Sequence, residues 1–185
     1  KTAWASHRLD LHPDEAQLRA QLAGKWRNLL CKSERQSIQL SWHAAALCWS
    51  RFATFYSQFA QEKQFVAVDP HLLGCLLRQH SPSWQCHLWT AAPAENPDDW
   101  LAVLLVIHHG DSATYLIAAN RAEGRRLLCN YRLLWQAITH ARSRGVRWFD
   151  LGGVNADTPE GIRHFKSGLN GVPYQWVGEW SFVVI

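Results

Sequence analysis

Residues 113–151 read ATYLIAANRAEGRRLLCNYRLLWQAITHARSRGVRWFDL, and the order of patterns in this stretch decides the fold. Residues 113–119 are apolar and β-prone, which predicts a strand. From Arg126 to Arg144 an apolar stripe of Leu127, Tyr131, Leu134, Trp135, Ile138 and Ala141 recurs at helical spacing. Gly145 stops the helix, as glycine does after a last turn. Residues 146–151 are the next strand. Strand, helix and strand make one βαβ unit, whose strands are parallel and joined by a right-handed crossover.

Outward from this unit the signals alternate. Residues 84–91 and 100–109 read as strands, and His109-Gly110-Asp111-Ser112 turns the second back into 113–119. On the C-terminal side, Thr158-Pro159-Glu160 predicts a short helix, with Thr158 as cap and Pro159 in the first turn. Residues 174–184 predict the last strand. On the N-terminal side, residues 4–11 read as extended. Pro13-Asp14-Glu15 opens a helix carrying the stripe Leu18, Leu22, Trp26, Leu29 and Leu30. A second helix spans 44–61, and a short one runs from Asp69-Pro70 to Arg78, ended by Ser81-Pro82. Antiparallel hairpins beside a parallel pair mean a mixed sheet with helices packed on it. The chain divides into a segment 1–40 that leads into a domain at 41–185.

Composition narrows the function. The 185 residues are 48% hydrophobic and 18% charged, with 11 Trp, which suits one packed domain and excludes a disordered one. A net charge of +4 permits an anionic partner without requiring one. The 5 Cys are odd in number and form no CxxC, which argues against a disulfide framework or a structural zinc. The longest apolar run, 101–107, is far short of the about 20 residues that span a bilayer. No signal peptide is evident, so the expected location is the cytoplasm. The sequence opens on Lys-Thr-Ala-Trp and contains 0 Met, which reads as part of a longer chain.

Three pieces carry candidate chemistry. Asn120-Arg121-Ala122-Glu123-Gly124-Arg125-Arg126 joins a strand to a helix N-terminus, where backbone N–H groups and guanidiniums favour a phosphate. A solvated basic turn is the other reading. In Phe149-Asp150-Leu151-Gly152-Gly153 a carboxylate ends a strand, and two glycines allow a sharp turn or a close approach to ligand. Asp150 either braces that loop or takes part in chemistry. In Gly161-Ile162-Arg163-His164-Phe165-Lys166, Lys166 is either a solvated helix-end cation or a fixed cation for a developing oxyanion. His164 points elsewhere on the helix and does not pair with it. His108-His109 has no third ligand in reach, so no metal site is expected.

Together these pieces resemble the FemAB family within the GNAT superfamily. The resemblance runs through residues 113–120, 129–138, 145–153, 161–169 and 174–180, and includes Leu22-Ala-Gly-Lys-Trp-Arg-Asn-Leu-Leu-Cys-Lys-Ser-Glu-Arg35. It implies an α/β (α+β) GNAT-like acyl-CoA N-acyltransferase fold, in which a splayed parallel strand pair flanked by helices holds the donor. It implies an acyltransferase that moves an aminoacyl or acyl group to an amine, in well-studied members an amine of a peptidoglycan precursor. The family's Phe-Lys pair falls on Phe165 and Lys166, with catalysis and substrate binding as the implied roles. Arg121, Gly124, Arg125, Arg126, Tyr131, Asp150, Gly152 and Gly153 are the implied donor and substrate contacts. The donor is an aminoacyl-tRNA or an acyl-CoA, and no tightly bound cofactor is implied. Arg126 stands where the GNAT pyrophosphate signature has a small residue, which favours the tRNA. Members usually carry two GNAT-like domains, so this chain corresponds to the C-terminal one. A non-catalytic ligand-binding GNAT-like domain is the reading from another class.

Overall fold

The computed structural model describes residues 3–79 and 81–178. Seven strands form one sheet: β1 (Ala5–Asp10), β2 (Ile38–Ala44), β3 (Trp84–Pro93), β4 (Ala102–His109), β5 (Ser112–Asn120), β6 (Trp148–Asp150) and β7 (Val172–Gln175). Their order across the sheet is β2-β3-β4-β5-β6-β1-β7. The helices are α1 (Glu15–Gln21), α2 (Gly24–Glu34), α3 (Trp49–Lys63), α4 (Pro70–Arg78), α5 (Ala122–Arg126), α6 (Cys129–Ser143) and α7 (Glu160–Ser167).

Strand β4 is the middle of the core. Ala102, Leu104 and Val106 enter the cluster that holds α1, α2 and α6. Val103, Leu105 and Ile107 enter the cluster that holds α3 and α4. A strand covered on both faces reads as a continuous apolar run, which is what 101–107 is. The stripe predicted from the sequence faces this sheet: on α6 Leu134, Trp135 and Ile138 are buried and Tyr131 packs against the same cluster, as does Leu127 just before it.

The parallel pair is β5 and β6, paired at Ser112↔Trp148, Ala113↔Phe149 and Thr114↔Asp150. Beyond Thr114 the two separate, because β6 ends at Asp150 while β5 follows β4 to Asn120. The β4–β5 register shifts opposite Leu105 and Val106, leaving Leu116 as an extra residue. Such a bulge bends its strand and re-aims the side chains beyond it.

Several elements differ from the sequence reading. The extended residues 4–11 become β1, which lies inside the sheet, antiparallel to both β6 and β7. The first helix is two helices. Leu22 and Ala23 are extended, with ψ of 139 at each, and the Ala23 N–H leaves the helix to bond the Gly168 carbonyl at 2.9 Å. Residues 38–43, outside any predicted element, join Ala44 in β2, which pairs β3 from Ile38↔Pro93 to Ala44↔His87. That pairing takes Ala44 out of the predicted helix, which begins at Trp49 after a 3-10 turn. The long helix 126–144 is interrupted at Leu128, whose φ is 60, dividing α5 from α6. The cap of α7 is Pro159, not Thr158. The last strand starts at Val172 and ends at Gln175, and residues 179–184 of the predicted strand lie outside the described residues.

Candidate functional site

Helix α7 is polar along most of its length and buries one residue, Lys166, which is 5% exposed. Its ammonium donates to the Gly153 carbonyl at 2.9 Å and lies 4.8 Å from the centroid of the Tyr115 ring. Gly153 follows β6 and Tyr115 belongs to β5, so Lys166 sits where the parallel strands part. The solvated helix-end reading of Lys166 is therefore corrected, because desolvation dominates its surroundings. Burial pushes its pKa down to about 8, while the Asp150 carboxylate pulls it up. Burial also pushes the Tyr115 phenol up.

The turn beside it has to be glycine. Gly152 has φ of +69, and a Cβ there would lie 2.6 Å from the Tyr115 carbonyl oxygen and 3.5 Å from Lys166 Nζ. Asp150 holds this turn in place. Its Oδ1 accepts from the Gly152 N–H at 2.7 Å and from the Ser6 hydroxyl at 2.8 Å, and its Oδ2 accepts from the Tyr174 hydroxyl. Burial and the bond to Asp150 push the Tyr174 phenol up to about 12. One carboxylate thus ties β6 to β1, to β7 and to the glycine turn.

Phe165 faces a different group. Its ring meets Tyr131 edge-on at 5.0 Å and Trp26 at 5.9 Å, and its carbonyl accepts from the Trp26 indole N–H at 3.0 Å. This contact seats α7 on α2 and α6 and so fixes where Lys166 points. Tyr131 belongs to the same aromatic group.

The arginine turn lies apart from both. It follows Asn120, five residues beyond Tyr115, which is about 17 Å along a strand. Arg121 pairs with Asp99 at 2.7 Å, Arg125 with Glu62 at 3.1 Å and Arg126 with Glu123 at 2.9 Å. All three guanidiniums are exposed and already face carboxylates. Arg126 points to solvent, so its bulk does not obstruct the turn. Gly124 has a packing reason, since a Cβ there would lie 2.5 Å from the Leu101 carbonyl oxygen and 2.7 Å from Asn120 Oδ1.

The structure thus brings Asp150, Gly152, Gly153 and Lys166 together and leaves the arginines elsewhere. Tyr115, Ser6 and Tyr174 complete the group, and sequence reasoning missed them as site residues. Tyr115 and Tyr174 stood inside the quoted motifs, whereas Ser6 carried no signal at all. His108 packs with His87 and His140 on the α6 side of the sheet, while His109 Nε2 lies 2.8 Å from Thr114 Oγ1 on the other. Among the described residues no group of His, Cys, Asp or Glu is placed to hold a metal ion. No helix among them is long and apolar enough to cross a membrane.

The family model of the FemAB family matches residues 90–184. No curated protein matches the chain. Among solved structures, FemX matches with a TM-score of 0.77 and 13% identity, over 94% of this chain and 60% of that one. L-PGS from Bacillus licheniformis matches with a TM-score of 0.62 and 9% identity, over 95% of this chain and 59% of that one. A tandem GNAT protein from the clavulanic acid biosynthesis pathway matches with a TM-score of 0.57 and 14% identity, over 94% and 51%. The chain spans 60% or less of the length of each. The fold is that of the GNAT acyltransferases, with the splayed parallel pair at its centre.

Proposed function

We propose that this chain, which belongs to the FemAB family, is an acyltransferase that moves an aminoacyl group from aminoacyl-tRNA to an amine. The acceptor we assign is an amine of a peptidoglycan precursor, and the place of action is the cytoplasm, where charged tRNA is found. The donor ester is already activated, so the reaction calls for no tightly bound cofactor. In a longer chain a second GNAT-like domain would share in binding these partners.

The observation that supports this reading is the buried ammonium of Lys166 at the parting of β5 and β6. In the transfer, the amine nitrogen attacks the carbonyl carbon of the donor and the carbonyl oxygen gains negative charge. The intermediate then collapses, the ester C–O bond breaks, and the ribose hydroxyl leaves with a proton from the attacking nitrogen. An ammonium has three N–H donors, and Gly153 takes one. Lys166 offers the others to the oxyanion, in a site where burial strengthens the interaction. Peptide groups of β5 beyond Thr114, no longer paired with β6, line the same opening. Asp150 and the glycine turn keep the ammonium in place.

The test is turnover of the full-length protein with charged tRNA and, separately, with acyl-CoA. Product from charged tRNA that stops after ribonuclease treatment, with donor binding that weakens steeply as salt rises, supports the reading. Product from acyl-CoA that ignores ribonuclease moves the protein to the acyl-CoA branch. No product from either donor makes it a non-catalytic ligand-binding domain.

A further inference from the structure

Helices α3 and α4 cover one face of the sheet over β3, β4 and the end of β5. On that same face, over β5, β6, β1 and β7, lies an open hollow of about 500 Å³. Its walls include Trp4, Trp148 and Trp176, together with Arg8, Asp150 and Tyr174. Trp4 and Trp176 are 43% and 62% exposed. Exposed indoles grouped around charged side chains are a binding-site signature, since large apolar rings at a surface cost solvation unless something covers them.

The charges show what the hollow suits. Arg8 and Asp150 are direct partners across the β1–β6 ladder and lie on the same face. Opposite charges so placed normally pair. These two do not. The Arg8 guanidinium lies over the Trp148 ring, 4.3 Å from its centroid. The Asp150 carboxylate is turned toward Ser6, the Gly152 N–H and Tyr174. A guanidinium over a ring face has five N–H groups, and those turned away from the ring remain free to donate. A carboxylate has about four acceptor sites, and Asp150 uses three. A fixed cation and a fixed anion therefore stand side by side without neutralising each other, between apolar plates.

We infer that this hollow binds a zwitterionic amino-acid group: its carboxylate on Arg8, its ammonium at Asp150, and its apolar body against Trp4 and Trp176. The hollow also adjoins the reaction site. Gly153 lies hard against Trp4, where an added Cβ would come within 2.7 Å, and its carbonyl holds Lys166. One residue separates the two compartments. Naming the bound group as part of the amine acceptor rests on the acyltransferase reading, whereas the binding itself does not.

The experiment is calorimetric titration of this chain with a matched six-carbon series: norleucine, hexylamine and hexanoate, with a neutral disaccharide beside them. Norleucine is expected to bind saturably, and hexylamine and hexanoate at least tenfold more weakly. Arg8→Met, at an exposed side chain, weakens norleucine at least tenfold while circular dichroism stays unchanged. Trp176→Ala gives the same loss and serves if Arg8→Met unfolds. Hexylamine binding as tightly as norleucine, an Arg8→Met or Trp176→Ala protein that binds normally, or preference for the disaccharide overturns the inference. Binding without turnover leaves the site standing and removes the acyltransfer reading. Turnover without norleucine binding does the reverse.

Discussion

The ammonium of Lys166 lies over the ring of Tyr115, 4.8 Å from its centroid, so helix α7 and strand β5 close the same gap from opposite sides. A ring face attracts a cation, most when water is excluded. The cation is nevertheless held at a cost, and that cost makes the site testable.

Lys166→Met should remove turnover without unfolding the protein. Holding the charge at pKa about 8 instead of 10.5 costs about 3 kcal/mol at neutral pH. Losing the bond to Gly153 costs about 1–3 kcal/mol. The two nearly cancel, so thermal denaturation should shift by only a few degrees. Turnover should fall by about 10²–10³-fold if the ammonium meets the oxyanion. The sequence alone leads to a similar stability forecast by treating Lys166 as a surface residue. Burial replaces that reason with this cancellation. A variant that melts far lower would make Lys166 a structural cation.

The pH dependence separates the roles Lys166 can play. Its folded pKa is depressed to about 8, so the charged form is lost as pH rises through 8. Turnover that needs the cation should decline above pH 8, and a rate that climbs toward pH 8 would mean that the neutral amine acts as a base. Stability moves the other way. Between pH 8 and 10.5 the unfolded chain holds the proton that the folded chain has lost, so stability rises with pH. Rate profiles and urea midpoints across that window read the two trends.

Acid should destabilise the fold through the histidines on the α6 side. His108 is pushed down to about 4, first by burial and then by His87, Arg144, His140 and His109, and His140 is lowered as well. The folded state resists a proton that the unfolded chain accepts at about 6.5. The His108 contribution is complete above about pH 6.5 and is lost as pH falls toward 4, by about 3 kcal/mol. The His108 Nδ1 has no hydrogen-bond partner to lose. His108→Leu should therefore flatten the slope of urea midpoint against pH between 6.5 and 4.

Gly124 and Arg126 should respond to different extents. Gly124→Ala sets a methyl 2.5 Å from the Leu101 carbonyl oxygen, an overpacking that costs about 1–3 kcal/mol. Arg126→Ala removes an exposed pair with Glu123 and should change stability by less than about 1 kcal/mol. Denaturant midpoints of the two variants compare them directly.

Which features the sequence revealed follows from how local their causes are. Strand β4 was legible because burial on both faces writes an unbroken apolar run, and α6 because its stripe repeats within 15 residues. Strand β2 was missed although Ile38, Leu40 and Trp42 alternate with Gln39, Ser41 and His43 as a strand requires; the partners that fix it lie about 50 positions away in β3. Lys166 was legible as a residue of interest through the Phe165-Lys166 pair, but not as a buried one. Its neighbours Arg163, His164 and Ser167 make α7 look solvated. The bond between Ser6 and Asp150 joins positions 144 apart, and no local pattern encodes it.

Strand β1 lies between β6 and β7, although it precedes both by well over a hundred residues. During synthesis this segment leaves the ribosome long before either neighbour exists. The β3–β5 meander can pair first, because its contacts are short in sequence. The half of the sheet that carries Asp150 and Tyr174 must close a long loop before it gains anything, which slows that step. Until β1 arrives, the facing edges of β6 and β7 offer unpaired peptide groups to any passing strand. Folding rate and loss to aggregation should accordingly be set at this seam, so a chain nicked before α1 should stall with its meander formed and its reaction site unbuilt.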